Sequence, residues 1–100
     1  MAINPLKIQF VASEVEGLVK TGGLADVAKA LPQHLARAGH DVRIILPFYK
    51  TIKRRDEATL LASRWLPTPQ DSSDIDYRIH QLDLDGICVY LIDCPQYFDR

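Results

Sequence analysis

The order of elements near the start of the chain limits the fold more than any other feature. Residues 7–12 form a short, largely apolar run of strand-forming residues, as expected for a strand covered on both faces. A polar segment with three glycines, residues 13–23, follows it. Apolar residues then recur at helical spacing: Leu24, Val27, Ala28, Leu31, Leu35 and Ala38. Residues 42–46 form a second apolar run, so the sequence predicts a βαβ unit with parallel strands and a right-handed crossover.

The helix of this unit has a clear predicted end and one irregular position. Arg37 falls in the last turn, and Gly39 follows at the position where a helix commonly ends with a glycine in the left-handed conformation. Pro32 lies inside the helix and removes one backbone hydrogen bond, so a kink is expected there. The apolar spacing continues through Pro32, which favours one helix rather than two.

The second half of the chain carries weaker signals and one strong one. Residues 51–62 show a weak apolar stripe and are expected to form a helix, and residues 63–66 a short strand. Residues 77–84 and 87–92 flank Asp85-Gly86, a dipeptide typical of a type I′ hairpin turn. The alternation of apolar and polar residues is interrupted near His80 and Gln81, which suggests a β-bulge. The second arm of the hairpin is apolar on both faces and should be central in the sheet.

Composition limits the size of the fold and the class of protein. The chain has 100 residues, of which 47% are hydrophobic and 25% charged, with a formal net charge of -1. These values fit one small globular domain and exclude collagen-like, disordered and disulfide-dense secreted chains. A nearly neutral chain is not expected to bind nucleic acid or an anionic membrane. The basic run at residues 50–55 is interpreted as a solvated surface.

The sequence predicts a cytoplasmic protein. It has no apolar run near the roughly 20 residues that span a bilayer, and residues 1–7 do not resemble a signal peptide. On one extended strand, Cys88 and Cys94 would lie about 20 Å apart, too far for a disulfide. Neither has nearby partners at metal-ligand spacing, so both are expected to be reduced thiols.

The segment that leads into the helix is the main candidate site. Lys20, Thr21, Gly22 and Gly23 run directly into Leu24. Amide groups at a helix start attract anions, glycines let a phosphate approach, and a lysine adds positive charge. The chain contains neither G-x-G-x-x-G nor G-x-x-x-x-G-K-[ST]. From pattern alone, a phosphate site and a plain turn with a solvated Lys20 both remain open.

Several segments resemble one known enzyme family. Residues 20–27, K-T-G-G-L-A-D-V, resemble the signature of bacterial glycogen synthases and plant starch synthases. Ser13-Glu14, the A-L-P at residues 30–32, the Y-L-I-D at residues 90–93 and the Y-F-D-R at residues 97–100 are similar to other landmarks of that family, in order and spacing. The similarity covers nearly the whole chain.

The resemblance implies a fold and an activity. It implies an α/β fold: a Rossmann-like βαβ sheet with a C-terminal β-hairpin, within the N-terminal domain of a two-domain GT-B glycosyltransferase. Residues 1–100 would be a single incomplete domain, with the second GT-B domain absent. The implied activity is that of a glycogen (starch) synthase, which transfers glucose from ADP-glucose to the non-reducing end of an α-1,4-glucan with retention. It uses no metal and no other cofactor.

The resemblance also implies roles for individual residues. Lys20 would contact the donor's diphosphate, and Gly22 and Gly23 would lie close to the donor. Asp26 is expected at the rim of the sugar site, although a carboxylate in a first helical turn is also stabilised by the helix dipole alone. Glu14 could line the sugar pocket, but a polar loop residue after a strand needs no function, and the second interpretation is favoured. Catalytic residues of the family would lie beyond Arg100, so the chain alone is expected to be inactive and to bind ADP-glucose weakly if at all.

Two other functions remain open from the sequence. The first is a stand-alone domain that binds a nucleotide or a glucan without chemistry. The second is another sugar-nucleotide transferase of the GT-B architecture, because the residues that recognise the base would lie in the second domain.

Overall fold

The computed structural model describes residues 4–66 and 75–94, which form one sheet and one α-helix. The predicted Y-F-D-R segment at residues 97–100 lies outside them. The elements in chain order are β1 (Lys7–Val11), α1 (Leu24–Arg37), β2 (Asp41–Pro47), a 3-10 turn (Arg55–Glu57), β3 (Thr59–Leu66), β4 (Ile75–Leu84) and β5 (Ile87–Asp93).

The βαβ unit and the hairpin are confirmed by the sheet. Its strand order is β1-β2-β5-β4-β3, with β1, β2 and β5 parallel to one another. β5 lies between β2 and β4, as its apolar sequence predicted. β4 and β5 pair antiparallel through a turn in which Asp85 and Gly86 both have positive φ, at 50° and 89°. Two positive φ angles define the type I′ geometry.

The prediction of a helix at residues 51–62 is wrong. Only Arg55–Glu57 is helical, as one 3-10 turn, and the strand β3 begins at Thr59. Arg54 lies in the left-handed region at φ 62°, which prevents an α-helix from running through it. The pairing of β3 with β4 supplies the backbone hydrogen bonds that a helix would otherwise provide. The short strand expected at residues 63–66 is the second half of β3.

The β-bulge lies on the strand opposite the predicted position. Leu60 pairs with His80 and Ala62 with Ile79, so Leu61 is the extra residue on β3. The pairing of β4 with β5 is continuous through His80. The interrupted alternation of apolar and polar residues in β4 therefore lies opposite the bulge on β3.

The helix α1 packs on one face of the sheet through small side chains. Ala25, Ala28 and Pro32 are buried. The sheet residues on that face alternate along β2 and β5: Val42, Ile44, Leu46, Ile87, Val89 and Leu91. The left-handed Gly39, at φ 101°, ends the helix as predicted, and its N–H donates to Ala36 O at 3.0 Å.

The orientation of α1 differs from the predicted stripe. Leu24, Val27 and Leu31 are 50%, 52% and 41% exposed, whereas Ala28 is fully buried. Small side chains let the helix backbone approach the sheet closely, so the larger residues are rotated to the side. The apolar stripe indicated a helix correctly but not the face that is buried.

The opposite face of the sheet carries an apolar hollow. It has a volume of about 310 Å³, and Ile45, Leu61, Ile79, Tyr90 and Ile92 line it. The described part of the chain contains no helix that is both long and apolar enough to cross a membrane.

Candidate functional site

The loop between β1 and α1 is fixed to the core rather than free in solvent. Val15 and Leu18 are fully buried, and Val15 N–H donates to Val19 O at 2.9 Å. Lys53 N–H donates to Leu18 O at 2.8 Å, which ties the loop to the segment after β2. The loop therefore presents residues 20–23 at the edge where the parallel strands β1 and β2 end. Ligands of open parallel sheets bind at such an edge.

Glu14 is a buried carboxylate that caps the start of α1. It is only 6% exposed. Its Oε2 accepts hydrogen bonds from Thr21 N–H at 2.9 Å and from the Thr21 hydroxyl, and its Oε1 accepts one from Ala25 N–H at 3.0 Å. The N-cap residue of the helix is Gly23, which has no side chain with which to cap it. Glu14 therefore has a structural role that the sequence did not predict, because its carboxylate holds the glycine segment against the helix. A place for Glu14 in the sugar pocket stays a prediction.

These contacts also hold Glu14 in its charged form. The hydrogen bond from the Thr21 hydroxyl, and next the one from Thr21 N–H, lower the pKa of Glu14 below its ordinary value. Burial acts in the opposite direction but does not outweigh them. An internal anion thus lies at the positive end of the α1 dipole.

Lys20 is bound by two carboxylates. Its Nζ lies 2.8 Å from Asp26 Oδ1 and 3.0 Å from Glu16 Oε2, and all three side chains are about half exposed. These hydrogen bonds, the one to Asp26 foremost, raise the pKa of Lys20 above its ordinary value. The Lys20 ammonium in turn lowers the pKa of Asp26. The structure therefore brings the predicted site residues Lys20 and Asp26 together and adds Glu16 to them.

Gly22 and Gly23 leave open backbone at the helix start. A Cβ added to Gly22 would lie 3.7 Å from Glu14 Oε1, which is ordinary contact, and one added to Gly23 would meet nothing within 4 Å. Gly23 has φ -70° and ψ -20°, angles that any residue adopts, so its glycine is not needed to turn the chain. The N–H groups of Gly23 and Leu24 donate no hydrogen bond to residues 4–66 or 75–94. An anion can approach these amides directly.

A polar cavity adjoins this loop. It has a volume of about 270 Å³ and lies at the carboxyl ends of β1 and β2, lined by Ser13, Glu14, Val19, Thr21, Tyr49 and Thr51. The lining offers four hydroxyl groups and one carboxylate, which can donate to and accept from a hydroxylated ligand such as a sugar.

Neither the two cysteines nor the basic run at residues 50–55 adds residues to this site. Cys88 and Cys94 are both free thiols, as predicted. Within the basic run, Ile52 is buried and the Arg55 guanidinium lies 4.0 Å from the centre of the Phe48 ring. Among the residues that the structure covers, no group of three or more histidine, cysteine or acidic side chains is arranged to hold a metal ion.

Sequence patterns missed the importance of Glu16. It stands four residues before Lys20, but in a non-helical segment that spacing carries no expectation of contact. Its position is set by the loop, because Glu16 N–H donates to Ala25 O at 3.0 Å. The signal for Glu14 was present: a carboxylate directly after β1 lies where the amides of the next helix start need an acceptor.

Comparison with known proteins places the chain in a family. The family model for the starch synthase catalytic domain matches residues 7–100. The chain is 80% identical over all its 100 residues to the glycogen synthase of Aeromonas salmonicida, of which it covers 21%, and 53% identical over 97 residues to that of Photobacterium profundum, of which it covers 19%. It therefore spans about a fifth of the length of these relatives.

A solved structure agrees with the sequence relatives. The catalytic domain of starch synthase IV from Arabidopsis thaliana, bound to ADP and acarbose, matches with a TM-score of 0.84 and 28% identity over 97% of this chain and 20% of that one. The Rossmann-like sheet is thus that of the GT-B starch synthase fold. Because the family model matches nearly the whole of this chain, the chain belongs to the starch synthase catalytic domain family.

Proposed function

We propose that this chain forms part of the donor site of a glycogen synthase, which transfers glucose from ADP-glucose to the non-reducing end of an α-1,4-glucan with retention. The observation that carries the proposal is the 80% identity, over the full chain, to a glycogen synthase. The structural neighbour adds support, because it is bound to ADP and to acarbose.

The roles of the site residues are those that the family resemblance implies, and the geometry at the start of α1 supports them. Lys20 binds the diphosphate of the donor, and the open N–H groups of Gly23 and Leu24 donate hydrogen bonds to its oxygens. As the bond to glucose breaks, negative charge grows on the departing ADP. A lysine and helix-start amides that face this charge stabilise the transition state more than the ground state, which raises the rate without proton transfer. Asp26 keeps Lys20 at the helix start through its 2.8 Å contact and lies at the rim of the sugar site.

The remaining parts of the site come from elsewhere in the whole enzyme. The rest of the first domain and a second GT-B domain supply the other groups that hold the diphosphate and the reacting sugar, so residues 1–100 alone bind ADP-glucose weakly if at all and do not turn it over. The proposed reaction uses no metal and no other cofactor. We assign the enzyme to the cytoplasm, as the sequence predicts.

A hybrid enzyme tests this function. In it, this chain replaces the 100 aligned residues of the Aeromonas salmonicida glycogen synthase. The hybrid should incorporate labelled glucose into glycogen from ADP-glucose. A hybrid that folds but incorporates no glucose, beside an active parent enzyme, would favour a binding domain without chemistry. The choice between ADP-glucose and UDP-glucose is measured on the complete enzyme that contains this chain, because the residues that recognise the base lie in the second domain. A preference for UDP-glucose there would favour another transferase of this architecture.

A further inference from the structure

Two carboxylates surround the Lys20 ammonium, so the unliganded site is not simply a positive charge that waits for an anion. Its ammonium carries one positive charge, and the carboxylates of Glu16 and Asp26 carry two negative ones within 3.0 Å of it. The cluster is therefore net negative when both acids are ionised. A diphosphate that approaches Lys20 meets repulsion from two carboxylates as well as attraction to one ammonium.

We propose that Glu16 competes with the bound diphosphate for Lys20, and so sets the affinity of this site for its donor. The inference rests on the proposed function, since it takes Lys20 to be the diphosphate contact. An ammonium has three N–H donors, of which the two carboxylates use two. When the donor binds, Lys20 exchanges its contact with Glu16 for one with a phosphate oxygen. Glu16 thereby excludes small, weakly charged anions from the unliganded site.

Glu16, rather than Asp26, is the partner that Lys20 releases. Asp26 lies in the first turn of α1, where the helix dipole stabilises its charge, and its contact with Lys20 is the shorter one. Glu16 lies on the loop outside the helix and holds Lys20 through a longer side chain. The backbone of Glu16 is fixed independently, by its N–H bond to Ala25 O. A change to its side chain therefore leaves the path of the loop intact.

Titration of the 100-residue chain with inorganic pyrophosphate tests the inference, with the amide NMR signals of residues 20–24 as the readout. The variant Glu16→Gln removes one negative charge and keeps the size of the side chain. It should bind pyrophosphate about threefold to tenfold more tightly than wild type at low salt. The gain should shrink as salt is added, because added salt screens exposed charges.

Asp85→Asn is the matched control. Asp85 also pairs with a lysine, Lys29, at 3.1 Å, and it lies in the β4–β5 turn, at the opposite end of β5 from the site. This variant makes the same change in charge and should bind pyrophosphate as wild type does. A tightening as large as that of Glu16→Gln would reduce the effect to net charge and overturn the inference.

The remaining outcomes separate the two proposals. If Lys20→Ala loses pyrophosphate binding while Glu16→Gln binds as wild type or more weakly, competition by Glu16 is overturned and the diphosphate role of Lys20 stands. If Lys20→Ala binds as tightly as wild type, both the diphosphate role and the competition fail. If no variant of the isolated chain binds, the same variants are titrated in the hybrid enzyme, where equal affinity of Glu16→Gln and wild type would overturn the competition. Each variant is first checked for the dispersed amide spectrum of the folded chain.

Discussion

The Glu14 carboxylate, at the end of β1, lies 3.0 Å from the backbone nitrogen of Ala25, in the first turn of α1. This one contact joins the two elements that border the glycine segment. The same carboxylate also accepts from Thr21, so both ends of residues 21–25 are held by one side chain. The amides at the helix start are therefore arranged before any ligand arrives, which lowers the entropic cost of binding there.

Loss of this carboxylate should destabilise the folded chain. Glu14→Gln keeps the size of the side chain but places an NH2 donor opposite another donor, at Thr21 or Ala25. We expect the thermal midpoint to fall by about 5 °C or more, measured by circular dichroism. The control Glu57→Gln changes an exposed glutamate that pairs with Arg54, and should move the midpoint by no more than about 2 °C. Equal midpoints for the two variants would contradict the role given to Glu14.

The stability of the chain should depend on pH partly through Glu14. Its pKa is lower in the folded state than in the unfolded chain. The stabilisation is therefore complete above the unfolded pKa and is lost as pH falls through the folded one. As pH falls from neutral through and below the ordinary range of a glutamate, the advantage of wild type over Glu14→Gln should shrink. Thermal midpoints of both proteins across this range measure the effect, and a constant difference would show that Glu14 does not titrate as described.

The buried face of α1 can be tested by two opposite changes in size. Ala28 is fully buried against the sheet, so Ala28→Leu should overpack the core and cost about 1–3 kcal/mol of unfolding free energy. Leu31 is 41% exposed, so Leu31→Ala should cost about 1 kcal/mol or less. Urea denaturation measures both. If Leu31→Ala cost more than Ala28→Leu, the helix would face the sheet with its larger residues, as the sequence stripe suggested.

The predictable parts of the fold were those with strong local signals. The βαβ unit followed from periodicity, because a helix of about four turns between two apolar runs makes the strands parallel. The hairpin followed from Asp85-Gly86, since both positions need positive φ. The orientation of α1 did not follow, because Ala25 and Ala28 are apolar too and periodicity does not rank small residues above large ones.

Other parts depended on contacts distant in sequence. β3 is a strand because β4 pairs with it, and its own residues, 59–66, carried only a weak preference. At the site, the family signature led to Lys20, Gly22, Gly23 and Asp26, and their ligand roles stay predictions. The partners of Lys20 followed from the loop path, which the buried Val15 and Leu18 set. No spacing rule for non-helical segments places Glu16 beside that lysine.

The most direct test of the account is the effect of Lys20→Ala in the hybrid enzyme described above. If Lys20 stabilises charge on the departing ADP, kcat/KM for ADP-glucose should fall by about 100-fold to 1000-fold, with much of the loss in kcat. The control is Lys7→Ala, since Lys7 is an exposed lysine at the first residue of β1, at the other end of that strand from the site. It should leave kcat/KM within about twofold of the parent hybrid. A Lys20→Ala hybrid as active as the Lys7→Ala hybrid would contradict the central claim.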